Sequence, residues 1–131
     1  MTEFLDLVGG KRMNLNDARQ SIVLFREMAE EIKSQARKFI IFPEGGYDNN
    51  ENTVFDFKPG AFKAAMMAKV PIVPVALVDS YKVFQGFSLR KVTTQVHFLK
   101  PLYYDDYKEM STKEIAAEVR SQIEKKIAEA A

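Results

Sequence analysis

The chain has 131 residues, enough for one domain that buries roughly two-thirds of its unfolded surface. Apolar residues make up 47% and charged residues 28%, with a formal net charge of +1 and the basic residues scattered. A nucleic-acid groove or a polybasic lipid patch needs a concentrated field, so neither is expected, and the lack of Cys excludes disulfides, thiolate nucleophiles and thiolate metal sites.

No apolar run approaches the ~20 residues of a membrane-spanning helix. Met1–Thr2–Glu3–Phe4–Leu5–Asp6 carries two acids and no basic stretch, unlike a signal peptide. Met1–Val8 reads as a helix end stopped by Gly9–Gly10. Asn14, Asn16 or Asp17 can cap the next helix, where Ile22, Phe25, Ala29 and Ile32 form an apolar stripe and Arg26, Glu30, Glu31 and Lys33 turn outward. Phe39–Phe42 is short and wholly apolar and reads as a buried strand, followed by a loop over Tyr47–Asp56. Pro59–Gly60 opens a helix carrying Phe62, Ala65, Met66 and Ala68. Ile72–Val78 reads as a second buried strand in which Pro74, lacking an N–H, belongs at an edge or a ladder gap.

Val92, Thr94, Val96 and Phe98 alternate with Thr93, Gln95, His97 and Leu99, predicting a strand with one apolar face. Ser111 with Glu114 forms a capping box for a last helix bearing Ile115, Val119, Ile123 and Ile127. Strands and helices alternate, and the fold class expected is α/β, a mostly parallel sheet flanked by helices in a single domain. Phe39–Phe42 and Ile72–Val78 are expected as parallel neighbours, joined by a right-handed crossover through the Phe62 helix.

Two tracts invite chemistry. Glu44–Gly45–Gly46 follows the first strand directly, where ligands of parallel sheets collect, and its glycines allow backbone N–H groups to converge on an anion. The plain alternative is a strand-to-loop turn with an exposed Glu. Lys58–Pro59–Gly60 sets a mobile cation beside a helix N-terminus, which suits phosphate; a capped helix beside a solvated lysine explains it equally. His97 stands alone in the sequence, and the residue five positions on is Leu102 rather than an acid that could orient it, so a structural role is expected. Tyr103, Tyr104 and Tyr107 with Asp105 and Asp106 read as a turn with no assigned role. Nucleotide-binding glycine loops, zinc-protease motifs and Ser-His-Asp sets are absent from the sequence.

The order Phe39–Ile40–Ile41–Phe42–Pro43–Glu44–Gly45–Gly46–Tyr47, then Phe57–Lys58–Pro59–Gly60, then Val70–Pro71–Ile72–Val73–Pro74–Val75 resembles the glycerolipid acyltransferases, the 1-acyl-glycerol-3-phosphate acyltransferase family. Their hallmarks are F-P-E-G-T followed by Arg or Ser, then F-K-x-G, then V-P-(I/V)-(I/V)-P. Gly46 and Tyr47 depart from the usual Thr and Arg or Ser. A further family motif, Gly, three residues, Ile or Val, then Asp-Arg, falls without gaps on Gly9, Met13, Asn14 and Leu15, so its arginine is missing; Lys11 and Arg12 are the nearby cations. The catalytic H-x-x-x-x-D, which precedes F-P-E-G in the family, is not in the sequence.

The resemblance implies the C-terminal two-thirds of an acyltransferase domain. In the family an acyl group passes from acyl-CoA or acyl-carrier protein to the hydroxyl of lysophosphatidate, with the missing His as general base. By the same likeness, Glu44, Gly45, Gly46, Lys58 and Gly60 would bind the phosphorylated acceptor. No metal or organic cofactor is implied, and the parent acts peripherally at the cytoplasmic membrane face. Three possibilities stay open: an inactive fragment of such an enzyme, a non-catalytic module binding a lipid phosphate or a protein partner, and an unrelated α/β domain.

Overall fold

A computed structural model describes residues 18–46, 50–84 and 91–131. The expected helix at Met1–Val8, its Gly9–Gly10 stop, the caps at Asn14, Asn16 and Asp17, the Lys11–Leu15 stretch and Tyr47 lie outside the described residues. Two units are distinguished, Met1–Phe39 and Ile40–Ala131.

In the first unit, helix α1 spans Ala18–Gln35. Its buried face is Leu24, Phe25, Met28 and Ala29, while Ile22 is 43% exposed and Ile32 half-buried. The expected stripe was therefore right at Phe25 and Ala29 and wrong at Ile22. Leu24 and Met28 sit one turn apart beside those two residues and complete a narrower apolar strip. Arg26, Glu30 and Lys33 are exposed as expected, and half-buried Glu31 pairs with Arg37 at 2.6 Å. The helix stops where Ala36 turns left-handed, at φ 52°.

The second unit is built on its last helix. A 3₁₀ turn, Pro59–Phe62, leads into α2, Lys63–Ala68, as the Pro-Gly signal predicts. Lys69 takes φ 57° and ends α2 with its N–H directed at the carbonyls of Ala65 and Met66. Strand β1, Val75–Val78, is followed by a 3₁₀ turn at Ser80–Phe84; strand β2 is Gln95–Phe98. Helix α3, Tyr104–Tyr107, precedes α4, Thr112–Ala130. The Ser111–Glu114 capping box forms as expected, with Glu114 N–H donating to Ser111 Oγ at 3.3 Å and Ser111 N–H to Glu114 Oε2 at 2.7 Å. Ile115, Val119, Ile123 and Ile127 of α4 join Val54, Phe62, Ala76, Val78, Leu102 and Tyr107 in one buried cluster.

The sheet departs from expectation. Among the described residues it has two strands, antiparallel, with Val75 opposite Phe98, Ala76 opposite His97, Leu77 opposite Val96 and Val78 opposite Gln95. A mostly parallel sheet is thus not found. A continuous apolar run marks a buried strand, but carries no information on the direction of its neighbour. Ile72 extends the ladder by an antiparallel bridge to Leu102, and Pro74 falls in the gap between, accepting Leu99 N–H at 2.9 Å through its carbonyl. The gap is where a residue without an N–H fits.

Residues 40–42 form no strand, and Ile40 is 88% and Phe42 72% exposed. Four apolar residues become a strand only where a neighbour takes up their N–H and C=O groups, and no described strand runs beside them. The apolar face of β2 is likewise turned outward. Val96 and Phe98 are exposed, together with Leu77, whereas Gln95 and His97 share the covered side with Ala76 and Val78. Gln95 finds a use there, its amide reaching the Ala130 carbonyl at the end of α4 at 3.4 Å.

Candidate functional site

The F-P-E-G-G tract is a β-turn. Gly45 N–H donates to the Phe42 carbonyl at 3.2 Å, with Pro43 second and Gly45 fourth, the places these residues favour. Gly45 has φ 74°, a left-handed backbone that glycine adopts without strain. Its N–H is therefore committed inside the turn and does not face an anion, contrary to the expectation of converging donors. Glu44 is half-buried, and its Oε2 accepts Phe55 N–H at 2.8 Å. The carboxylate thus braces the loop that follows.

That loop returns beside the turn. Lys58 N–H donates to the Pro43 carbonyl at 2.7 Å, so the F-P-E-G-G and F-K-P-G tracts are neighbours in space. Lys58 itself is extended, with φ −72° and ψ 111°, and its carbonyl receives Ala61 N–H at 3.0 Å to start the 3₁₀ turn. The Lys58 side chain is exposed, and no carboxylate among the described residues pairs with it. Gly46 is exposed and a Cβ there would meet nothing within 4 Å; Gly60 is half-buried in the 3₁₀ turn. Of the five predicted site residues, the turn bond to Phe42 and the Lys58 N–H bond to the Pro43 carbonyl thus gather Glu44, Gly45 and Lys58 around one turn, with Gly46 and Gly60 adjoining in sequence.

Residues outside the predicted set hold this arrangement. Asn52 and Asp79 bond reciprocally, Asn52 Nδ2 to Asp79 Oδ1 at 3.0 Å and Asp79 N–H to Asn52 Oδ1 at 2.9 Å. Asp79 follows β1 directly and takes φ 60°, in the left-handed region that Asp tolerates better than most residues. Lys82 Nζ reaches Asp79 Oδ2 at 2.6 Å. That bond, aided by Asn52, holds the Asp79 carboxyl below its ordinary range, and the carboxylate raises Lys82 in return. From α4, Arg120 bonds the Val54 carbonyl at 3.2 Å, Glu124 at 2.8 Å and the Asp56 carboxylate. Asp56, Phe57, Pro59, Lys113 and Arg120 line a shallow open depression of about 180 Å³ on this side. Only the Arg120–Glu124 and Asp79–Lys82 links are short-range in the sequence; Asn52–Asp79 and the Arg120 links to Val54 and Asp56 join residues 27 or more positions apart.

His97 lies on β2, where its Nε2 is 3.0 Å from Gln95 Oε1, on the side of the sheet facing α4. No acid among the described residues pairs with it, and no group of three His, Cys, Asp or Glu among them could hold a metal. Tyr107, expected in a turn without a role, is wholly buried, and its hydroxyl donates toward the carbonyls of Val70 at 2.6 Å and Ala65 at 3.2 Å.

The F-P-E-G-G turn, the Lys58-bearing start of the 3₁₀ turn bonded to it and the V-P-I-V-P run into β1 are the tracts in which the sequence resembles the acyltransferases. The sequence profile described as Acyltransferase matches residues 1–78, and the chain belongs to that family. It is similar to 1-acyl-sn-glycerol-3-phosphate acyltransferase of Escherichia coli (strain K12), with 30% identity over 94% of this chain and 50% of that protein. The 1-acyl-sn-glycerol-3-phosphate acyltransferase of Saccharomyces cerevisiae is 29% identical over 92% of this chain and 41% of its own length. The alpha form from Ovis aries is 33% identical over 76% and 35%. The chain therefore spans about half, or less, of the length of these relatives. No solved structure matches it.

Proposed function

We propose that this chain is the acceptor-binding portion of a phospholipid-biosynthesis acyltransferase, one that moves an acyl group from acyl-CoA or acyl-carrier protein to lysophosphatidate. The observation that carries the reading is the Lys58 N–H bond to the Pro43 carbonyl, which joins the two motif tracts into one surface. On that surface Lys58 supplies the charge for a phosphomonoester. Gly46 leaves room for close backbone approach and has no packing reason to lack a side chain. Glu44, already holding Phe55 N–H, accepts a hydrogen bond from a glycerol hydroxyl.

General-base catalysis is worth about 10²–10⁴-fold, and the sequence has no H-x-x-x-x-D to supply it. The chain on its own therefore turns over no substrate, and works at the cytoplasmic membrane face only as part of a larger protein. Retention of both phosphate-side tracts without the base equally fits a non-catalytic lipid-phosphate module. The experiment pairs a radiolabelled acyl-transfer assay on lysophosphatidate with an NMR titration by glycerol 3-phosphate. No product, together with shifts at Gly46 and Gly60 that shrink in Lys58→Ala, is expected. Product abolished by His97→Ala, or no shifts at millimolar ligand, overturns the proposal.

A further inference from the structure

The Glu44 carboxylate is only as well placed as Phe55 N–H, its partner, and Phe55 sits in a loop flanked by residues 47–49 and by Lys58. The 50–56 loop is rich in polar residues and buries only Val54, so burial alone fixes it weakly. Its turn is drawn together by Thr53 N–H bonding the Asn50 carbonyl at 2.8 Å and by Glu51 at φ 54°. Neither feature ties it to the rest of the unit. Besides the Phe55–Glu44 bond itself, the hydrogen bonds that do are those of Arg120 at Val54 and Asp56 and of Asn52 at Asp79.

We infer that Asn52 and Asp79 are a positioning pair that locks the 50–56 loop onto the carboxyl end of β1 and so holds Glu44 in place for the acceptor. The pair has three features that a chance surface contact lacks. It is reciprocal, so the two side chains cannot rotate independently. It uses the Asp79 backbone N–H as well as its carboxylate, which fixes the loop to the strand end itself. It is also maintained at a non-glycine residue with φ 60°, a conformation that persists where surrounding contacts over-determine it. Lys82 on Oδ2 leaves Oδ1 for Asn52 and keeps the carboxylate oriented. The two hydrogen bonds of the pair thus link the end of β1, whose Val78 is fully enclosed, to Asn52, and the chain from Asn52 to Phe55 N–H carries that position to the half-buried Glu44 carboxylate.

The role in acceptor binding rests on the proposed function above; the positioning itself does not, and the two are tested apart. Amide hydrogen exchange on the full chain reads the Phe55 N–H directly. Asn52→Ala should speed Phe55 exchange about tenfold, as the loss of one or two ordinary hydrogen bonds implies. Asp79→Gly, which keeps the left-handed backbone but removes the carboxylate, should do the same. In both variants the Glu44 carboxyl carbon shift should move, while Val119 and Ile123 keep wild-type protection. The exchanged pair, Asn52→Asp with Asp79→Asn, preserves one donor and two acceptors between the residues and should restore Phe55. Unchanged Phe55 exchange, an equal rise at Val119, or no restoration in the exchanged pair overturns the inference. Wild-type protein that shows no glycerol 3-phosphate shifts, with the Phe55 results as expected, removes the acceptor reading and leaves the positioning pair standing.

Discussion

Tyr107 shows how one hydroxyl can hold a segment end. The last carbonyls of α2 lack helical partners, and the turn after it adds another at Val70. Tyr107 donates to that turn from 37 residues away while its ring lies edge-on to Tyr104 with centroids 5.5 Å apart. Burial, with the neighbouring Tyr104 contributing, pushes the Tyr107 hydroxyl from 10.0 up to about 12. The folded state thus holds this proton more tightly than the unfolded chain, so its contribution is complete below pH 10 and is lost as pH rises toward about 12. Tyr107→Phe removes the donor at a cost of about 0.5–1.5 kcal/mol near neutral pH, the net worth of an ordinary hydrogen bond, because the half-buried Ala65 carbonyl keeps the Val70 N–H. Denaturant midpoints measured from pH 7 to 11.5 should fall more steeply above pH 10 in wild type than in Tyr107→Phe. Parallel curves would contradict the assignment.

Among the elements, α4 is the most self-specified. Ser111 and Glu114 satisfy one another's N–H groups, and hydrogen bonds from Ser111 hold the Glu114 carboxyl below its usual range. Ser111→Ala should lower stability by about 0.5–2 kcal/mol, read as a reduced urea midpoint with an unchanged slope. A changed slope would point instead to an altered unfolded state. That cap was legible because its partners are three residues apart, and the Pro59 helix start was legible for the same reason. Residues 39–42 were not, since a strand exists only with a partner that lies elsewhere in the chain. The alternation of β2 was seen correctly, but which of its faces is covered depended on α4, and Gln95 and His97 took that side. Glu44, Gly45 and Lys58, grouped by motif, lie around one turn in the structure. The sequence could not show that Gly45 N–H is used up inside its own turn, or that Asn52 and Asp79 support the group.

At the scale of the second unit, one face of the β1–β2 pair is covered by α4 and the other shows Leu77, Val96 and Phe98 to solvent. The covered side therefore carries the cohesion, and its farthest-reaching tie is Arg120, which spans 66 residues to the Val54 carbonyl and 64 to Asp56. Such separation bears on the order of folding. Helix α4 can form early from neighbours in sequence, whereas closing a loop of this length has an entropy cost that precedes any reward. The Arg120 contacts should thus be absent from the transition state. Arg120→Ala is expected to steepen neither chevron arm and to leave the refolding rate near wild type, while unfolding quickens. Stopped-flow measurements on both limbs decide it, and slowed refolding would place the clasp in the nucleus. A clasp formed last is the first to open, so the loop that braces Glu44 would be released before the helix beneath it melts.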